Sequence, residues 1–288
     1  MPVTDSRQPS RDSLRAARMI LIAAALVLGG CTVSSATTSV ASPAIVPPSG
    51  AATPNPSPSP SPSPQPSASA QTVPTATITF NELVLDSTAD AGAAPRKFTF
   101  VSNGPGVVSM QVLAATTQSS TKLCYSVDGS AERCSTGAAP AFSNLAAAAG
   151  SSNWTVTLAS ADEASPTVDL ALSWPADKAA VSLTNGRFQG SPNKDPLRSL
   201  SATFQTRAAG QVALTAAWTP GSTASTVTLS KEATAAATIV DLATYAAAAA
   251  LTPPYGHAVA AGSSYRITLM NQGPNGARTS LSATIAFP

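Results

Sequence analysis

The sequence predicts an all-β protein, with two tandem antiparallel β-sandwich domains over residues 75–176 and 177–288. Three observations carry that expectation. From about Thr75 onward, apolar and polar residues alternate with period 2 in short runs, the pattern of half-buried strands. Gly, Pro, Asn and Asp punctuate those runs, as turns between strands require. The second half of this stretch then repeats the first, with Phe100 and Gly106 matched by Phe204 and Gly210 at an offset of 104 residues.

Ahead of the strands lies a leader, 1–30. Arg7, Arg11, Arg15 and Arg18 outweigh Asp5 and Asp12, and the apolar run Met19–Leu28 follows. That run is too short for a permanent span of roughly 20 residues, and a positive segment followed by a short apolar core is the pattern of a secretory signal. It ends in Leu28-Gly29-Gly30-Cys31, which resembles the lipobox of bacterial lipoproteins. The resemblance implies that Cys31 becomes the mature N-terminus and carries the lipid, placing the protein on the extracytoplasmic face of a bacterial cell membrane. One acyl chain holds weakly, at about 0.8 kcal/mol per buried CH₂, and two or three anchor stably.

Residues 31–74 are the spacer, rich in Ser, Thr, Ala and Pro and densest at Pro54–Pro66. Proline at every second position removes backbone donors and fixes φ, so the segment is expected to be disordered and near polyproline II. At 3.1 Å per residue it reaches on the order of 100 Å.

Composition narrows the function classes. The chain is 43% hydrophobic and 10% charged, against about 25% charged in ordinary soluble proteins, so its surface is built largely from Ser, Thr, Ala, Gly and Asn. A formal net charge of +2 with no basic cluster after the leader argues against nucleic acid. With Cys31 assigned to lipid, Cys124 and Cys134 remain, an even pair in an oxidising compartment. Asp128-Gly129, a strong hairpin signal, lies midway between them. A disulfide across that hairpin is expected, worth about 2–3 kcal/mol in the chain-entropy model.

The strand candidates of the first domain centre on Ile78 and Phe80, Phe98 and Phe100, Val108 to Val112, the Cys124 hairpin, Trp154 to Leu158, and Val168 to Trp174. In the second copy Gly150–Leu158 is matched by Gly262–Leu269, with an offset of 112 taken at the glycines, and Val168–Pro175 by Leu281–Pro288. About eight extra residues therefore fall in the second copy, in 232–254. That insertion holds the tract Ala246–Ala250, and alanine's helix propensity predicts a short surface helix over 238–250, ended by Pro253-Pro254. The two domains are expected to meet near 176–180, without a free hinge.

Leu200–Phe204, Gly210–Leu214, Ala260–Ile267 and Leu281–Phe287 together resemble bacterial prepeptidase C-terminal-type domains. The resemblance implies small β-sandwiches that accompany secreted enzymes or surface proteins, some of which bind matrix or carbohydrate; it carries no site to particular residues.

Candidate chemistry is sparse. His257 is the sole histidine, which excludes multi-histidine metal centres, and no G-x-S-x-G elbow accompanies it. The carboxylates scatter through turns without a D-x-D-x-D run. No cofactor is expected. Of the aromatic residues, Trp154, Trp174 and Tyr265 read as core, whereas Trp218 before Thr219-Pro220-Gly221 and Tyr255 in a loop read as ligand-contacting. The expected function is a non-enzymatic surface lipoprotein, with the membrane as one partner and an envelope polysaccharide or protein as the other. A carbohydrate-binding module using Trp218 and Tyr255 is the alternative, and a hydrolase the remote third.

Overall fold

The computed structural model describes residues 73–115, 119–188, 198–233, 236–273 and 279–288. Cys31, the leader and nearly all of the spacer lie outside the described residues.

Sixteen strands carry the fold, and no α-helix occurs among the described residues. The first half supplies β1 (Thr75–Val84), β2 (Arg96–Asn103), β3 (Gly106–Ala115), β4 (Thr121–Val127), β5 (Arg133–Gly137), β6 (Ala141–Ala147), β7 (Ser151–Ser160) and β8 (Thr167–Pro175). The second supplies β9 (Ala179–Arg187), β10 (Ser199–Gln205), β11 (Gly210–Thr219), β12 (Thr223–Glu232), β13 (Thr238–Ala248), β14 (Tyr255–Val259), β15 (Ser264–Asn271) and β16 (Ser280–Phe287). Period-2 burial runs through most of them, as in β8, where Val168, Leu170, Leu172 and Trp174 face in. Such alternation is what a strand with one face in the core needs.

The all-β antiparallel class is the expected one, and it is built as two eight-stranded sheets packed face to face. Sheet A runs β13-β12-β15-β10-β1-β8-β3-β6, and sheet B runs β14-β11-β16-β9-β2-β7-β4-β5. Each half contributes four adjacent strands to each sheet. The halves join where β1 pairs with β10 in sheet A and β2 with β9 in sheet B.

Those two seams are equivalent under a pseudo-twofold that exchanges the halves. Ile78 opposes Phe204 and Phe80 opposes Ala202; at the other seam Val181 opposes Phe100 and Leu183 opposes Phe98. The repeat extends to backbone detail. Glu82 in β1 and Asn185 in β9 both take positive φ, 55° and 59°, beside register shifts against β8 and β16 respectively. These are paired β-bulges at corresponding places.

The core passes through the seam without a break. Trp154, Phe100 and Trp174 form a chain of ring contacts at 6.2 and 4.8 Å; Tyr265, Phe204 and Phe287 form its counterpart at 6.2 and 4.7 Å. Trp174 and Phe287 meet edge-to-face at 6.4 Å, joining the two.

Two expectations need correction. The segment 238–250 is strand β13 plus a bridge from Ala250 to Ala217, not a helix. Alanine's advantage is below about 0.7 kcal/mol per residue over most types, and the open edge of β12 offers a full ladder of backbone partners. The extra residues do fall here: β12 and β13 have 10 and 11 residues against 7 and 5 in β4 and β5. The repeat's late register shifts by one residue: Phe100 opposes Trp154 and Phe204 opposes Tyr265, so Trp154 corresponds to Tyr265 rather than Arg266. An offset of 112 would have put the two on opposite faces of their sheets.

Candidate functional site

The hairpin of β4 and β5 forms as the Asp128-Gly129 pair requires. Both residues have positive φ, 48° and 75°, and Ser130 N–H donates to Val127 O at 2.8 Å, a type I′ turn. Cys124 stands opposite Cys134 and the two are disulfide-bonded. Cys124, Glu132 and Cys134 are the one cluster of metal-ligand types among the described residues, and the bond leaves it no thiolate.

Trp218 and Tyr255 are corrected from ligand contacts to core. They are 1% and 3% exposed. Trp218 continues the inward phase of Val212, Leu214 and Ala216 in β11 and packs on Phe188 at 5.0 Å. Tyr255 opposes Leu214 from β14. The loop composition around each residue suggested exposure; strand phase decides otherwise.

Two polar clusters remain as site candidates. The first lies at one end of the seam. Arg96 donates from Nε and Nη2 to Val84 O, from Nη1 to Ala94 O, and from both Nη atoms to Asp86. Arg187, from the second half, pairs with the same Asp86 carboxylate and reaches Asp90 at 3.5 Å. The side chains of Asp86, Arg96 and Arg187 are all less than a tenth exposed. A cleft of about 350 Å³ opens beside them, lined also by Asn185, Thr219 and Ser280. With two guanidiniums set against two carboxylates, the cluster balances its own charge. Its chemistry is that of a clamp between halves.

The second cluster lies between the edge strands β13 and β14. Asp241 points inward, opposite the buried Leu229, and its carboxylate sits 3.4 Å from His257 Nδ1. Burial first, and the Asp241 carboxylate second, push both the Tyr245 and Tyr255 hydroxyls above the ordinary phenol range, so both stay protonated. The groups named here are the imidazole, two phenols and one carboxylate, and the hydroxyl residue Ser225 stands opposite Tyr245.

Turn carboxylates are held low by backbone donors. Asn153 N–H donates to Asp128 at 2.7 Å and Ser120 N–H to Asp162 at 2.8 Å, and each bond lowers its acid's pKa. Both carboxylates cap loops.

Sequence reasoning missed the Asp86, Arg96 and Arg187 cluster. Nothing in spacing connects residues from different halves, although an arginine at an inward position of an alternating strand, as at Arg96, was a usable signal. Among known proteins, no family model and no curated sequence matches this chain.

Proposed function

We propose that the chain is a non-enzymatic lipoprotein of a bacterial envelope, anchored through Cys31 and carrying the two-sheet body on the spacer 31–74 as a binding or structural module. The observation that carries this reading is the succession of a positive segment, a short apolar run and Leu28-Gly29-Gly30-Cys31, followed at once by a Pro/Ser tract. The disulfide supports a site beyond the cytoplasm, where such bonds persist. The body supports a passive role: Asp86, Arg96 and Arg187 are spent on a clamp, Asp128 and Asp162 on loop caps, and its outward strand positions are mostly Ser, Thr and Ala. The similarity of the second half to prepeptidase C-terminal-type domains points the same way.

The test is the mature N-terminus. Intact and peptide mass spectrometry should find Cys31 first and diacylglyceryl-modified, with the protein in the detergent phase after Triton X-114 extraction. Cys31→Ala should move it to the aqueous phase. A wild-type chain beginning anywhere else, or already aqueous, overturns the reading.

A further inference from the structure

The outer face of sheet B carries a row of hydroxyl groups that crosses six strands in register. Ser126 opposes Thr155, Thr155 opposes Thr99, Thr99 opposes Ser182, Ser182 opposes Thr284, and Thr284 opposes Thr215. All six are partly or fully exposed. At about 4.8 Å per strand the row extends about 24 Å. Ser182 and Thr284 share a hydrogen bond of 2.8 Å, yet a hydroxyl offers one donor and two acceptor sites, so both keep capacity for a further partner. Two shallow depressions of about 330 and 370 Å³ follow the row and share Ser182, one over Thr99 and Thr155, the other over Thr284 and Thr215.

The fold alone does not produce this row. The pseudo-twofold places an equivalent one on sheet A, and there the residues are Ser230, Arg266, Thr203, Thr79, Ala171 and Gln111. Arg266 is paired with Glu232 at 3.2 Å, and Thr203 Oγ1 accepts from Asn81 Nδ2 at 3.0 Å. One face keeps an unbroken ladder of small hydroxyls; its counterpart is interrupted by a charged pair, an alanine and a glutamine.

We propose that this face of sheet B binds a neutral, extended polysaccharide chain laid across the strands. The row is uncharged, and so are its flanks on the second half: Ala180 and Thr184 in β9, Ser282 and Ala286 in β16, Ala213 and Ala217 in β11. Lys97, opposite Thr184, and Lys178 border the row only at its middle, beside Thr99 and Ser182. Sugar hydroxyls, like those of Ser and Thr, both donate and accept, so a neutral glycan can match the whole ladder, whereas a polyanion finds two cations at the row's middle and none along the rest of the second half. Strand twist selects the form of the partner. At about 20–25° per strand the row turns on the order of 100° from end to end, so a flat crystalline surface touches part of it and a single flexible chain can follow it all. Each contact replaces one with water and is weak alone, so binding needs several residues of polymer. The proposal rests on the envelope reading, which supplies the polymer.

The full chain, purified in detergent, is tested by affinity electrophoresis in gels containing a soluble β-glucan, a mannan or a galactan, with alginate as the anionic comparison. Retardation by at least one neutral polymer, unchanged in about 0.5 M salt, is expected. Thr99→Val with Ser182→Ala and Thr284→Val should weaken it at least about tenfold, while the sheet A pair Thr79→Val and Thr203→Val leaves it within about twofold. Retardation by none of the neutral polymers, retardation only by alginate and lost in salt, or equal loss in both variant sets overturns the proposal. The Cys31→Ala chain should bind as the wild type does. Glycan binding by a chain that is not lipidated removes the anchor and keeps this face, and a lipidated chain that binds no glycan does the reverse.

Discussion

The two halves share one topology but finish their outer edges differently. The first half ends sheet B in β5, five residues long and fastened to β4 by the Cys124–Cys134 bond. At the corresponding place the second half ends sheet A in β13, eleven residues long, with Asp241 turned inward beside His257 and with Ile239 and Leu242 63% and 61% exposed. Between those extremes the core correspondences hold: Phe100 with Phe204, Trp174 with Phe287, Met110 with Leu214. A seam buried on both sides tolerates little change because every neighbour must move with it; an edge answers only to solvent and to whatever pairs with it.

The largest test of that contrast is at the seam. Phe287→Ala removes the ring that meets Trp174 from the opposite half and should cost about 3–5 kcal/mol. Because the core is continuous, amide exchange should quicken in β8 as well as in β16. Loss confined to the second half would show that the halves are stable independently. Asp86→Ala leaves Arg96 and Arg187 buried without their shared carboxylate and should cost about 3 kcal/mol in urea unfolding, again with both halves affected.

At the edges the effects are smaller and local. Replacing Cys124 and Cys134 by Ser should cost about 2–3 kcal/mol, with faster exchange in β4 and β5 and little change in β12 and β13. Acid should also act on the first half. Asp128 and Asp162 are held below the ordinary carboxylate range by Asn153 N–H and Ser120 N–H. The folded chain therefore keeps them ionised where the unfolded chain would protonate them. What they contribute is present above about pH 4 and lost as pH falls through their lower folded values. The Asn153 and Ser120 amide shifts, followed by NMR, should titrate below pH 4; midpoints above it would contradict the assignment. The smallest effect is on the open edge. Leu242→Lys should change stability by less than about 0.5 kcal/mol and lower self-association in light scattering.

Much of the strand pattern was legible because alternation is a local property. Val168, Leu170, Leu172 and Trp174 declare an inward face without reference to any partner, and Asp128-Gly129 declares its turn. The same rule, continued from Val212 through Leu214 and Ala216, also points to Trp218; its neighbours Thr219-Pro220-Gly221 drew attention to the loop instead. The hydroxyl row was not legible, since its members come from six strands spread between Thr99 and Thr284 and only the register aligns them.

The sequence by itself determined the all-β class, the turn and disulfide of the β4–β5 hairpin, and the duplication with its extra residues near β13. Each depends on neighbours a few positions apart, or on comparing one half with the other. Only the tertiary structure decided that the halves share two unbroken sheets, that Ala243–Ala248 extends as strand along β12, and that Asp86 serves two arginines from different halves. Those outcomes depend on backbone hydrogen bonds and buried charges whose partners lie beyond the reach of local propensity, from 16 residues for Val227 and Ala243 to 101 for Asp86 and Arg187.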